Sequence, residues 1–282
     1  MMAKKLTNKS KSNPEQSDEN VFLNLLNEAI SKPGVINQAY RAFHRFSLGN
    51  QILATIQLLS RGLPVAPIAS FNAWKEKGRM VKKGEKAIRL SMPVTVKRKP
   101  EGDGNTEEEG GAFRIFVMRP NWFSLDQTEG AEFAEEAKSP SWDADLAMQS
   151  LGIEEIHFNH LNGNMMGYAI DRRIAINPVN PLKHKTRFHE LAHIVLGHTA
   201  EGEMADSADL PRSLKEVEAE GVAYILCSLL DMPGQAESRH YIQGWLESDS
   251  VPEKSARHIF TAADKILHAG SPVEVEGSDV IH

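Results

Sequence analysis

The sequence predicts an α+β fold divided into two domains. Helical and strand-like patterns are interleaved along the chain, and a polar stretch from Gln127 to Ser141 (QTEGAEFAEEAKSPS) interrupts them near the middle. With 282 residues, 41% hydrophobic and 25% charged, the chain can bury one large core or two modest ones. The expected division is a polar tail over 1–18, a first domain over 19–130, a linker over 131–145, a second domain over 146–270 and a short acidic tail over 271–282. Neither tail has the apolar surface to order itself, so both are expected to be disordered.

The first domain opens with a helix, because Val21, Phe22, Leu25, Leu26, Ala29 and Ile30 recur at helical spacing ahead of the stop signal Lys32-Pro33-Gly34. A second helix fits Leu48 to Leu59. Ser70 is placed to cap a short helix containing Phe71 and Trp74, which Gly78 ends. Lys83-Gly84 suits a tight turn and the β-rich run beyond it a strand; residues 101–111 suit a solvated loop, and FRIFVM at 113–118 the returning strand. In the second domain IEEIHF, GYAI and RRIAIN read as strands, the last two joined by a turn at Asp171. A long helix is expected to start at Asn180-Pro181, a cap followed by proline in the first turn, and to stop near Gly197. Another runs from about Leu214 to Leu230, with Val222, Ile225, Leu226 and Leu229 along one face, before Pro233-Gly234 ends it. No internal repeat is present, and the region after Pro233 carries no pattern that assigns it a role.

Composition narrows the function. No stretch approaches the roughly 20 uninterrupted apolar residues of a membrane helix, and the N-terminus is polar, so a cytoplasmic protein without a membrane partner is expected. The single cysteine, Cys227, excludes an internal disulfide and a thiolate metal site; within AYILCSLL it reads as a small buried hydrophobe rather than a nucleophile. The net charge of −6 conceals a separation: between Arg41 and Lys99 there are 13 Lys/Arg against Glu76 and Glu85, a local +11, which leaves −17 for the rest. A basic region on an acidic protein points to a polyanionic partner for that region.

The strongest motif is RFHELAHIVLGH, which contains His189, Glu190 and His193 in the HExxH pattern. On a helix, residues four apart lie one turn from each other on one side, so both imidazoles can reach a single ion with Glu190 beside it. With no thiolate available, such a site is expected to hold Zn2+, with Mn2+ or Co2+ acceptable to the same donors. A third protein ligand is needed, and KEVEAEGVA offers Glu216 and Glu220 four apart on the next helix. The preferred assignment places Glu216 on the metal and Glu220 behind it, accepting the outer ring N–H of a ligating histidine. Two alternatives stay open: Glu216 as the fourth residue of a capping box begun by Ser213, and His198 as a rival ligand, although it misses the HExxHxxGxxH spacing. In a catalytic site of this type Glu190 would act as general base, and Tyr168 or His184 could support the oxyanion, each with a plain packing or surface role as its alternative.

Lys75, Lys77, Arg79, Lys82, Lys83, Lys86 and Arg89 crowd into 15 residues beside Phe71 and Trp74. Cations that neutralise phosphates and aromatic faces that stack bases are the combination used to hold single strands. Trp74 and the seven cations are therefore candidates for a single-stranded-DNA face, against the alternative of a solvated basic surface with both aromatics in the core.

AWKEKGRMVKKGEKAIRL resembles the N-terminal single-stranded-DNA-binding domain of ArdC-type antirestriction proteins, and SLDQTEG at 124–130 resembles the segment that closes it. GYAIDRRIAINP, RFHELAHIVLGH and EVEAEGVAYILCSLL are similar to that family's zincin-like metallopeptidase domain, and the likeness runs in order over about residues 20–232. The resemblance implies ligands at His189, His193 and Glu216, a catalytic glutamate at Glu190, and a DNA face from Lys75 to Arg89. It also implies a plasmid- or mobile-element-encoded protein that protects incoming DNA from host restriction during conjugation, with a host restriction-modification component or another protein as substrate. Two other readings use the same residues: protection of single-stranded DNA by occupancy around a structural metal, and a regulatory metallopeptidase that cuts a repressor. The glutamate-rich 101–111 loop departs from the family pattern.

Overall fold

The computed structural model describes residues 20–97, 112–133, 141–160, 164–199, 210–247 and 251–272. The expected tail over 1–18, residues 273–282 of the tail expected over 271–282, and the loop over 101–111 lie outside the described residues.

The first segment is helical, then antiparallel. The expected helices are α1 (Val21–Ser31) and α3 (Leu48–Ser60), and between them the chain inserts α2 (Val35–Phe43), which follows the left-handed Gly34. The expected stop at Lys32-Pro33-Gly34 does end α1, and α2, which the sequence reading did not include, starts directly after it as Gly34 turns the chain and places Val35, Ile36, Ala39 and Phe43 on the core. β1 (Ile68–Ser70) leads into α4 (Phe71–Glu76), and Ser70 caps α4 by accepting a hydrogen bond from the Ala73 amide at 3.2 Å. β2 (Arg79–Val81), β3 (Ile88–Lys97), β4 (Ala112–Ser124) and β5 (Thr128–Gly130) follow. β1, β4 and β3 form one antiparallel sheet in that order, with Leu90 opposite Arg119 and Val94 opposite Ile115, while β2 pairs with β5.

The outer edge of β3 is covered by α3. The Asn50 carboxamide exchanges two bonds with the Ser91 backbone (2.9 and 2.8 Å), and seven residues further on Gln57 does the same with Arg89 (2.8 and 2.9 Å). Two side chains on one helix face thus satisfy the groups a missing strand would have paired. The SLDQTEG segment closes the unit: Gln127 accepts from the Ser124 amide and donates to Glu85 and to the Lys86 carbonyl.

The second segment begins at α5 (Ala144–Leu151), whose N-cap Asp143 accepts from the Leu146 amide. β6 (Glu154–Glu155), β8 (Arg173–Ile176) and β7 (Gly167–Ile170) form a small sheet in that order, so IEEIHF contributes two paired residues and the predicted GYAI–RRIAI hairpin turns at the left-handed Asp171. α6 is Lys183–Val195, starting two residues later than predicted. Asn180 does not cap it; its side chain accepts from the Leu182 amide (2.8 Å) and donates to Thr186 (2.7 Å), which holds a turn ahead of the helix. α7 (Arg212–Leu229), α8 (Gln235–Glu247) and α9 (Glu253–Gly270) complete the chain, and no described helix is long and apolar enough to cross a membrane.

The described residues after Pro233, unassigned by sequence, have a clear role. α9 packs on α7, α5 and the N-terminal helices, and one apolar core runs without a break from Leu25 to Leu267. α1 and α3 lack side-chain caps of their own. α9 supplies them: Glu253 accepts from the Phe22 and Leu23 amides (3.0 and 2.8 Å), and Asp264 from the Leu48 amide (3.2 Å). Carboxylates at helix N-termini satisfy orphan donors and complement the dipole.

Candidate metal centre and basic face

α6 and α7 cross beside the edge strand β7 and enclose a cleft of about 560 Å³ that includes Gly167, Tyr168, His189, Glu190, His193 and Glu216. Helical spacing sets His189 and His193 one turn apart, with their Nε2 atoms separated by 3.1 Å. Glu216 comes from the first turns of α7, its Oε2 lying 3.3 Å from His189 Nε2 and 3.7 Å from His193 Nε2. Donors about 2.1 Å from a tetrahedral cation stand ~3.4 Å apart, so these three separations fit one ion of that size. Among the described residues this is the group of His, Cys, Asp or Glu side chains placed to hold a metal. The capping-box alternative for Glu216 does not arise, because α7 starts at Arg212 and Ser213 lies inside the helix.

The surrounding charges have identifiable causes. Glu220 accepts from His189 Nδ1 at 3.0 Å and pairs with Lys185 at 2.6 Å. Burial alone would raise its pKa, yet the bonds from His189 and Lys185 hold it down at about 2. His189 is pushed up to about 9: burial favours the neutral ring, but hydrogen bonds to Glu216 and Glu220 outweigh it. Glu216 is held well below the ordinary carboxylate range by both histidines. Glu190 is buried among them and is raised to about 7, chiefly by burial, with His189 opposing and Glu216 assisting. Cys227 is buried and its thiol is raised to about 12 by desolvation, as suits a packed hydrophobe.

The other candidates are placed differently. Tyr168 lines the cleft with its ring packed near Phe158 and His160. His184 is half-buried and does not line the cleft; its Nε2 lies 2.7 Å from the Pro233 carbonyl oxygen. His198 is not grouped with the metal donors; its ring stands behind His193 (Nδ1 to Nδ1, 3.0 Å) and bonds to Glu218 at 2.9 Å. Glu218 was missed from the sequence. It falls in the apolar stripe Leu214, Glu218, Val222, Ile225 of α7, and a carboxylate in a buried stripe is the signal that could have found it.

The basic stretch is partly surface and partly scaffold. Lys75, Lys77, Lys82, Lys83, Lys86 and Arg89 are exposed. Arg79 is turned inward, bonding to the Thr128 hydroxyl and carbonyl and to the Ala131 carbonyl. Trp74 cannot stack a base: it is 0% exposed, its indole N–H donates to the Phe123 carbonyl at 2.8 Å, and Phe133 meets it edge-on. Its place on a helix buried over β4 consumes both its face and its donor. Phe71, 43% exposed, is the aromatic the surface retains.

Fold and cleft together define a mixed α+β protein with a metal-competent HExxH centre in its second half. Residues 27–121 match the model for the N-terminal domain of anti-restriction factor ArdC, so the chain carries an ArdC-type N-terminal domain. The metal-free crystal structure of antirestriction ArdC protein from the R388 plasmid shares its fold, with 20% identity, a TM-score of 0.52, and coverage of 88% of this chain and 94% of that one. The Mn(II)-bound structure of the same R388 protein aligns at 19% identity over the same shares with a TM-score of 0.43. No curated protein sequence matches the chain.

Proposed function

We propose that this chain is an antirestriction protein that binds single-stranded DNA through residues 19–130 and carries a zinc metallopeptidase centre in residues 146–270, acting in the cytoplasm to protect incoming plasmid DNA during conjugation. The observation that carries the enzymatic half is the convergence of His189, His193 and Glu216 at 3.1–3.7 Å. Glu220 orients His189 from behind. When bound, zinc would polarise a scissile carbonyl and acidify water; Mn2+ or Co2+ would suit the same donors. Glu190, raised to about 7, can receive a proton at its carboxylate near neutral pH and pass it to a leaving amine. Among the described residues β7 is the end strand of its sheet and lines the cleft, so an extended peptide could pair with its backbone, and a host restriction-modification protein is the substrate class the family likeness suggests.

The DNA half is supported by Lys75, Lys77, Lys82, Lys83, Lys86 and Arg89 with Phe71, while Arg79 and Trp74 hold the face from within. Plasmid transfer into a restricting host tests the whole reading. Wild type should protect the plasmid and Glu190→Gln should not; protection by Glu190→Gln equal to wild type would replace hydrolysis with occupancy. Metal analysis of wild type beside His189→Ala should show one bound ion lost on substitution.

A further inference from the structure

Glu218 is a carboxylate that the proposed chemistry does not use. Its side chain is 1% exposed and that of His198 is 2%, and burying such groups is costly unless each finds a specific partner. The partner is placed by the end of α6. Gly197 is left-handed (φ 76°), and the His198 amide folds back onto the His193 carbonyl at 2.8 Å, so the imidazole of His198 comes to lie against that of His193. From the other side α7 presents Glu218, 2.9 Å from His198 Nε2, with His258 Nδ1 of α9 3.9 Å from its second oxygen.

The order of atoms has a chemical consequence. A carboxylate only accepts, so the His198 Nε2 that meets Glu218 carries the hydrogen. A neutral imidazole has one N–H, so His198 Nδ1 is then an acceptor, and the His193 Nδ1 that faces it at 3.0 Å must donate. His193 Nε2 is left with a bare lone pair, on the side of His189 and Glu216.

We infer that Glu218 and His198 form a buried relay that holds His193 in the tautomer able to bind a metal, both acting as positioning residues. The inference rests on the metal-centre reading above. It gives each ligating imidazole its own anionic anchor: Glu220 directly for His189, and Glu218 through His198 for His193. Carboxylate partners behind metal-bound histidines typically change affinity by about ten- to a hundredfold.

The full chain tests this. In zinc-free wild type, 15N NMR of the ring nitrogens should place the His193 hydrogen on Nδ1. In Glu218→Gln, whose amide can donate to His198 and reverse the chain, it should move toward Nε2. Zinc affinity by chelator competition should fall about ten- to a hundredfold in Glu218→Gln and in His198→Phe, and Glu218→Asp should recover part of the loss. A wild-type His193 with its hydrogen on Nε2 overturns the relay, and this measurement decides the matter even if the variants fail to fold. So does His198→Phe that binds zinc within twofold of wild type while His189→Ala binds none. If His189→Ala also binds zinc normally, the metal-centre reading itself is wrong.

Discussion

Metal loading of this centre should compete with a proton. In the metal-free protein His189 is shared between Glu216 (3.3 Å) and Glu220 (3.0 Å), and these two anions push its pKa up to about 9. A ligating nitrogen must give up its proton, so at pH 7, two units lower, only about 1% of the sites are ready, and affinity should stand about a hundredfold below its high-pH limit. Between pH 7 and 8 the zinc association constant should therefore rise about tenfold, with close to one proton released per ion. Glu220→Gln removes one anion from His189 and should shift the whole dependence to lower pH. Competition with a chromophoric chelator, corrected for the chelator's own titration, reads the slope, and calorimetry in buffers of different ionisation enthalpy counts the proton. An association constant that changes less than threefold between pH 7 and 8, with no proton released, would refute the argument that the carboxylates hold His189 charged.

The same shifts set the stability of the metal-free form. His189, raised from 6.5, contributes stability that is full below about pH 6.5 and lost as pH climbs through 9, whereas Glu220, lowered to about 2, contributes above pH 4.5 and loses it as pH falls toward 2. Melting temperature without metal should accordingly peak between pH 4.5 and 6.5. Glu253→Ala should cost about 1–2 kcal/mol by freeing two α1 amides, and hydrogen exchange should show the loss in α1, more than two hundred residues from the substitution. In Gly167→Ala the new methyl would meet Thr186 Cγ2 at 2.5 Å and Glu190 Oε1 at 3.2 Å, so thermal denaturation should show about 1–3 kcal/mol of destabilisation. On the basic face, Lys83→Glu with Lys86→Glu should weaken single-stranded DNA binding and flatten its log–log salt slope by about 1.4, at ~0.7 per phosphate contact. Trp74→Phe should instead lower the melting temperature and leave that slope unchanged.

Much was written in local pattern. The capped helix at Ser70, the α6 and α7 helices and the HExxH spacing all depend on residues a few positions apart, where one helical turn fixes the geometry. The sequence alone therefore determined that His189 and His193 share a face with Glu190 beside them, and that a basic stretch is separated from an acidic remainder. Only the tertiary structure decided what meets that face. Glu216 is 27 residues from His189 in sequence, and its choice between a helix cap and the cleft depended on where α7 begins. Trp74 carried the same local signature whether it faced solvent or core, and the packing of α4 over β4 put it inside. The caps that α9 gives to α1 and α3, and the approach of Glu218 to His198, join segments whose spacing carries no period. Such contacts follow from how whole elements pack against one another, which no short window of residues encodes.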